Sequence, residues 1–119
     1  MASRSKEKTV VTSKDTMLVD KLKHAANPLS RMRGLLGTKS LPPKQALWLR
    51  PCASIHTIGM NYAIDALFLD KKKRIVKVAE NIKPMRVCLA PFSTRSVLEL
   101  RAGSVKEAGV EVGDELLFS

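Results

Sequence analysis

Residues 52 to 65 contain the side chains of the chain that are best suited to chemistry. They read CASIHTIGMNYAID, in which Cys52, His56 and Met60 recur at four-residue intervals and Asp65 closes the run. Thiolate, imidazole and thioether ligands together favour Cu(I), and cysteine with histidine favours zinc. The same cysteine and histidine could instead act as a nucleophile and its base. The run is therefore a candidate metal site, a candidate thiol site or part of the core.

The local pattern of this run disfavours both metal binding and thiol catalysis. Pro51 precedes the run and Gly59 interrupts it, so we do not expect a continuous helix that would align three ligands on one face. On a strand, residues i and i+4 lie about 13 Å apart, which leaves Cys52 too far from His56. We expect no bound metal and no cofactor, and we keep Cys52, His56 and Met60 as the metal-site alternative.

Two arginines of an upstream helix suggest a polar cleft around the same run. Arg31 and Arg33 are two residues apart, so they cannot share one direction with the apolar stripe of their helix. Guanidinium groups are forked donors that suit anions. We expect a binding or accessory module with a cleft for an anionic or polar small ligand, framed by Arg31, Arg33, His56, Thr57 and Asp65. Alternatively, Asp65 pairs with an arginine to join helix and sheet, and His56 is a buried core residue.

An enzyme is the second functional class that these residues allow. His56 and Asp65 could carry acid–base chemistry on a polar substrate, with a cysteine thiol as a further nucleophile. The sequence contains no P-loop, paired C-x-x-C, H-E-x-x-H or G-x-S-x-G motif to strengthen this interpretation. Binding therefore has more support than catalysis, and the catalytic residues stay unassigned.

The formal net charge of +10 favours anionic partners. No carboxylate occurs from Lys21 to Ile64, a second basic cluster spans Lys71 to Lys77, and the C-terminal end is acidic. This asymmetry suits an anionic small molecule, an anionic lipid surface or an acidic protein surface. One Trp, one Tyr and three Phe leave little for base stacking, so we expect any nucleic-acid binding to be weak and non-specific. A lysine-rich surface that serves solubility is the alternative.

Length and termini favour a single soluble domain. A chain of 119 residues is the size of one domain. Two cysteines do not form a disulfide framework, and in a reducing cytosol free thiols are the default. No apolar run approaches the roughly 20 residues that span a bilayer, and the N-terminus MASRSKEKTVVTSKD lacks the apolar segment of a secretory signal. We expect a cytoplasmic monomer with no membrane span.

One helix and several short strands are predicted to position these residues. Asn27 suits an N-cap, Pro28 the first helical position and Gly37 the C′ position, which predicts a helix over 28–36. Its apolar stripe, which we expect to pack on the sheet, comprises Leu29, Met32, Leu35 and Leu36. Ser104 and Glu107 form a capping-box pattern that predicts a helical turn at 104–108.

The remaining segments read as strands separated by turns. Strand patterns cover residues 9–12, 17–24, 46–50, 53–57, 63–69, 74–79, 84–91, 95–101 and 115–118. The second strand is a hairpin partner for the first, and Asp70 to Arg74 is a hairpin turn whose lysines stand in water. Residues 1–8 are expected to be a flexible N-terminus and residues 9–119 a single, mostly β domain, either a barrel or a sandwich.

Four pieces of the sequence resemble a known family in their order and spacing. They are RMRGLLG, CASIHTIGMNYAIDALFLD, KRIVKV and VLELRAGSVKEAGVEVGDEL. The chain is similar, over roughly residues 9 to 118, to the domain of unknown function 192 family. This resemblance implies a compact β-barrel-like single domain with a short helix, and it implies no particular activity.

Overall fold

The computed structural model describes residues 9–25, 43–50, 54–56, 62–84 and 86–119, and for 23–25 and 54–56 only the backbone. These ranges contain ten strands and one helix. The strands are β1 (Val10–Thr12), β2 (Met17–Val19), β3 (Lys21–Ala25), β4 (Gln45–Leu49), β5 (Ser54–His56), β6 (Ile64–Leu69), β7 (Ile75–Ile82), β8 (Val87–Leu89), β9 (Ser96–Arg101) and β10 (Leu116–Phe118). The helix, α1, spans Ser104–Ala108.

The strands form three sheets. A five-stranded sheet has the order β3-β4-β9-β6-β7, a three-stranded sheet the order β10-β1-β2, and β5 pairs with β8. Neighbours are antiparallel except for the parallel pair β3–β4. All six residues of β6 are buried, as expected for a strand that lies inside a sheet covered on both faces. The five-stranded sheet, which we call the central sheet, therefore has two apolar faces.

Each face of the five-stranded sheet has its own apolar cluster. One cluster joins this sheet to the three-stranded sheet and to α1, through Trp48, Leu67, Leu98, Val19 and Val105. The other cluster lies on the opposite face and includes Leu47, Phe68 and Val97, with Cys88 packed against it. Two sheets packed face to face make a sandwich. The sandwich alternative is thus confirmed, and the described strands do not close into a barrel.

The segment predicted as one hairpin partner, residues 17–24, is two strands in different sheets. Only β2 pairs with β1, and β3 pairs with β4. The chain changes sheets at Asp20, because the N–H groups of Asp20 and Lys21 both donate to Lys44 O, at 2.8 Å and 3.2 Å. These bonds hold the start of β3 beside β4, so the single-hairpin prediction is wrong beyond Val19.

The predicted hairpin turn at Asp70 to Arg74 is present between β6 and β7. Asp70 N donates to Arg74 O at 3.0 Å, which closes the turn. Lys71 and Lys72 are exposed as expected. Lys73 differs, because it is half-buried and its ammonium lies 5.7 Å from the ring centroids of both Trp48 and Phe118. That lysine therefore contacts an aromatic pair instead of standing in water.

The mostly β, single-domain prediction is confirmed, and the helical turn at 104–108 is α1. The radius of gyration is 13.0 Å, close to the ~13.5 Å of a compact domain of this length. The predicted helix over 28–36, with Leu29, Met32, Leu35 and Leu36, lies outside the described residues. Within the described residues, no helix is long and apolar enough to cross a bilayer.

Candidate functional site

Asp65 is the second residue of β6 and is buried, and its carboxylate accepts three backbone hydrogen bonds. Oδ1 accepts from Asn81 N at 2.8 Å, and Oδ2 accepts from Gly103 N and Val105 N at 3.0 Å each. The residue has no exposed surface. A buried carboxylate is stable only when charge-assisted hydrogen bonds replace its lost water. Asp65 thus joins β6 to β7 and to the start of α1.

The two segments that donate to Asp65 both have backbone shaped for this purpose. On β7 the register shifts opposite Ile64 and Ala66, and Asn81 is left-handed with φ of 51°, as at a β-bulge. Gly103 is also left-handed, with φ of 97°, and it is the N-cap residue of α1. Because glycine has no side chain, the N-cap residue cannot accept a hydrogen bond from the first N–H groups of the helix. The carboxylate of Asp65 accepts from Gly103 N and Val105 N instead.

The capping-box prediction at Ser104 and Glu107 is wrong as a result. Ser104 is already the first residue inside α1, and no side-chain capping bond arises at the N-cap position. The acceptor comes instead from Asp65, 38 residues before Gly103. The helical turn was predicted correctly, but the group that caps it was not.

Most residues of the predicted cleft lie outside the described part of the chain. Arg31, Arg33 and Thr57 all lie outside the described residues, and so do Cys52 and Met60 of the alternative metal site. His56 is placed only by its backbone, as the last residue of β5 opposite Val87. Asp65 is the one predicted cleft residue whose side chain is described, and its oxygens already accept bonds from the backbone. A ligand-binding role for these residues, and the enzyme alternative, stay predictions.

A different cleft, which we call the basic cleft, is formed by two loops at one end of the central sheet. It has a volume of about 290 Å³ and is lined by Asp70, Lys71, Lys72, Arg74, Ser93 and Arg95. The β6–β7 turn supplies the first four residues and the β8–β9 loop supplies the other two. Arg95 N donates to Leu69 O at 2.7 Å, which holds the two loops together.

The carboxylate of Asp70 is hydrogen-bonded within its turn and offsets only one of the four positive charges that line the cleft. Asp70 Oδ1 accepts N–H bonds from Lys72 at 2.8 Å and from Arg74 at 3.0 Å. Burial acts to raise the pKa of Asp70, but these two backbone bonds and the positive charges of the same two residues outweigh it and lower the pKa. Asp70 therefore remains a turn-forming carboxylate among cations.

The four cations of the basic cleft outnumber its single lining carboxylate, that of Asp70. Lys71, Lys72, Arg74 and Arg95 are exposed, and none of them makes a salt bridge within the described residues, where Lys14 accounts for both pairs. Four cations around one occupied carboxylate create a positive potential that attracts an anion. Arginine forks and a serine hydroxyl then offer directional donors to phosphate or carboxylate oxygens.

Sequence reasoning identified only part of the basic cleft. Lys71, Lys72 and Arg74 stood out as part of a basic cluster that suits an anionic partner. The turn that carries them was expected to hold its lysines in water, and no cleft was predicted there. Ser93 and Arg95 were missed because they lie 19 or more residues further along the chain. Glu99 was also missed: it is fully buried in β9, between Leu47 of β4 and Ala66 of β6. Its place in the apolar pattern VLELR gives no sign of an acidic group in the interior.

Two relatives from species of Pyrococcus match half of the chain or more. A UPF0127 protein of Pyrococcus furiosus is 30% identical over 100 residues, which covers 80% of this chain and 84% of that protein. A UPF0127 protein of Pyrococcus abyssi is 36% identical over 64 residues, or 54% of each chain. Neither name describes an activity, so these relatives show kinship without a function.

Two crystal structures have the same fold. One, from Sinorhizobium meliloti, is described as a "putative transcription regulator"; it has a TM-score of 0.79 and 23% identity, and the match covers 92% of this chain and 90% of that one. The other is a protein of unknown function from Novosphingobium aromaticivorans, with a TM-score of 0.78, 21% identity, and coverage of 92% and 81%. At these identities the structures establish the fold alone.

A family model connects the sequence, the relatives and the fold. The model of domain of unknown function 192, described as "Uncharacterized ACR", matches residues 9–118. The match covers β1 to β10, including Asp65, α1 and both loops of the basic cleft. The resemblance seen in the sequence is thereby confirmed: the chain belongs to the domain of unknown function 192 family.

Proposed function

We propose that this protein is a binding module whose basic cleft holds an anionic group such as a phosphate. The observation that carries the proposal is the set of four cations, Lys71, Lys72, Arg74 and Arg95, around about 290 Å³ of open volume. None of these four side chains forms a salt bridge within the described residues. The nearest carboxylate, on Asp70, is occupied by two N–H bonds of its own turn.

The backbone around the cleft is well suited to hold these cations in place. Asp70 fixes the turn through Lys72 N and Arg74 N, and Arg95 N is bonded to the end of β6. Cations on fixed loops lose less backbone freedom when an anion binds. An anionic small ligand is the class expected from the sequence. The proposal moves its site from the cleft predicted around Arg31, Arg33, His56, Thr57 and Asp65 to these two loops.

Titration with inorganic pyrophosphate, followed by backbone amide shifts in NMR, tests the proposal. We expect the shifts to concentrate in residues 70–74 and 93–95 and the affinity to fall as salt screens the charges. Lys72→Ala and Arg95→Ala should each weaken binding about fivefold, since each removes about one close ionic contact.

Lys106→Ala is the matched control, because Lys106 is an exposed lysine of α1 outside the cleft lining. It should bind pyrophosphate as the unmodified protein does. Shifts spread evenly over all exposed lysines, or equal losses in the Lys72 and Lys106 variants, would show that only the net charge of +10 attracts the anion and would reject the cleft.

A further inference from the structure

Three large apolar side chains that closely precede the cleft-lining Ser93 in the chain are exposed to solvent. Val87 is 63% exposed, Leu89 70% and Phe92 fully exposed at 103%. They fall within six consecutive residues that run from β8 into the β8–β9 loop. We call Val87, Leu89 and Phe92 the apolar strip. Single exposed hydrophobic residues are ordinary on protein surfaces, whereas a contiguous group marks a contact surface.

The alternation of β8 explains how the strip is presented. Cys88 packs against the apolar cluster that includes Phe68, so its neighbours Val87 and Leu89 are directed away from that cluster. The last residue of β8 is held by Lys77 of β7, whose ammonium donates to Leu89 O at 2.6 Å. Val87 and Leu89 therefore belong to a strand that is held at its end.

The strip leads directly into the basic cleft. Thr94 N donates to Pro91 O at 3.0 Å, which closes a four-residue turn with Phe92 and Ser93 at its corner. Ser93 lines the cleft, so the fully exposed ring of Phe92 is carried by the residue next to the cleft wall. The exposed ring of Phe92 and the cleft-lining Ser93 and Arg95 thus share the β8–β9 loop.

We infer that this surface docks on an anionic lipid bilayer, with the apolar strip in the interface and lipid headgroup phosphates at the basic cleft. The inference rests on the proposed anion-binding function and adds the class of partner. Aromatic and aliphatic side chains beside lysines and arginines are the combination that holds proteins at anionic membrane surfaces. Single-stranded nucleic acid fits less well, because it requires stacking rings, and two of the three strip residues are aliphatic.

Flotation with vesicles of phosphatidylcholine alone, and of phosphatidylcholine with phosphatidylglycerol, tests the inference. The full chain should float with the mixed vesicles and not with the neutral ones. Phe92→Ser and Leu89→Ser should each weaken vesicle binding on the order of tenfold, because each withdraws one large apolar side chain from the interface. Lys72→Ala and Arg95→Ala should each weaken it about fivefold.

Leu117→Ser and Lys106→Ala are the matched controls. Leu117 is also exposed, at 53%, but it lies on β10 in the three-stranded sheet. Both controls should bind vesicles as the unmodified protein does. Circular dichroism melts of all variants establish that a loss of binding is not a loss of fold.

Each result distinguishes the inference from the function on which it rests. If pyrophosphate binds at the cleft but vesicles do not, or if the strip variants bind vesicles normally, the lipid inference is overturned and the cleft survives. If the strip variants lose vesicle binding while the cleft variants do not, headgroup phosphates do not bind at the cleft and the inference is overturned. The proposed function is overturned only if pyrophosphate also fails to bind at the cleft. If a single-stranded oligonucleotide binds through Phe92 and vesicles do not, the partner is nucleic acid.

Discussion

Two hairpin turns of the molecule, residues 12–16 between β1 and β2 and residues 70–74 between β6 and β7, share one backbone geometry. The first N–H of each donates to the last carbonyl, at 2.9 Å and 3.0 Å. A side-chain oxygen of the first residue accepts two further N–H bonds, both 3.2 Å in the first turn and 2.8 Å and 3.0 Å in the second. The fourth residue is left-handed, with φ of 65° at Asp15 and 63° at Lys73.

The two turns differ in their electrostatic surroundings. In the first, the Lys14 ammonium lies 3.5 Å from a Glu111 oxygen and 3.9 Å from an Asp114 oxygen. In the second, Lys71 and Lys72 line the basic cleft and make no salt bridge within the described residues. Both turns flank the same acidic segment, since Ser13 N donates to Glu115 O at 3.0 Å and Leu116 N donates to Lys73 O at 3.0 Å.

The difference shows that the cations of the second turn are not required by its backbone. The first turn forms the same geometry around a neutral hydroxyl, with one lysine among its loop residues. The four cations near Asp70 form no salt bridge within the described residues, although acidic residues lie close by. They are therefore a separate property of that surface. This separation is what favours a binding role for the second turn over a purely structural one.

Asp65 extends the comparison to a third site where one side chain organises backbone N–H groups. Thr12 accepts two such bonds through a hydroxyl, Asp70 two through a carboxylate, and Asp65 three through a carboxylate with no exposure. The cost of losing each acceptor should rise in that order. A charged carboxylate makes stronger hydrogen bonds than a neutral hydroxyl, and the N–H groups bonded to Asp65 are the least accessible to water if they lose their partner.

Asp65→Asn should have the largest effect on stability. The amide replaces one carboxylate oxygen by an N–H₂ donor, which would face an N–H donor of Asn81, Gly103 or Val105. We expect the free energy of unfolding to fall by about 3 kcal/mol, measured by urea denaturation. Asp20→Asn is the control, since Asp20 is exposed, and it should change stability little. A loss for Asp65→Asn no greater than that of the control would contradict a structural role for the carboxylate.

Removing the acceptor of each hairpin turn should have a smaller effect, and a larger one at Asp70 than at Thr12. Asp70→Ala removes two charge-assisted bonds and should cost about 2 kcal/mol. Thr12→Val removes the hydroxyl while keeping the shape of the side chain, and it should cost about 1 kcal/mol. Urea denaturation of both variants measures the order. Equal costs would indicate that the charge of Asp70 adds nothing to its turn.

The contribution of Asp70 should also depend on pH, and that of Thr12 should not. The pKa of Asp70 is lowered in the folded protein from an ordinary value of 3.8, so its carboxylate stabilises the fold above that value. This stabilisation is lost as the pH falls through the folded pKa. The difference in unfolding free energy between the protein and Asp70→Ala should be constant above about pH 5 and shrink below pH 3.8. For Thr12→Val the difference should stay flat over the same range.

The sequence predicted the elements whose signals are local. Residues 63–69 were expected as a buried strand, and β6 is Ile64–Leu69 with every residue buried. The turn at Asp70 to Arg74 and the helical turn at 104–108 were also predicted. A run of apolar residues or an Asx-type turn depends on neighbours within about four positions, which a single sequence displays.

The features that escaped prediction all depend on contacts distant in the chain. Asp65 caps α1 across 38 residues to Gly103, and the local capping box at Ser104 was therefore a misleading signal. The basic cleft requires residues 93 and 95 to meet residues 70–74. Such long-range contacts are determined by the strand order, here by the pairing of β6 with both β7 and β9. A local sequence pattern does not specify the strand order.

The smallest predicted effect concerns the left-handed residue of each turn. Glycine adopts this conformation without the steric cost that other residues carry, but it loses more freedom on folding. Asp15 is exposed, so Asp15→Gly should raise the free energy of unfolding by about 0.5 kcal/mol. Lys73→Gly relieves the same strain but removes an ammonium that lies 5.7 Å from the rings of both Trp48 and Phe118, a contact worth about 0.5–1 kcal/mol. Urea denaturation should therefore show a gain at position 15 and none at position 73; equal gains would mean that the lysine–aromatic contact contributes nothing.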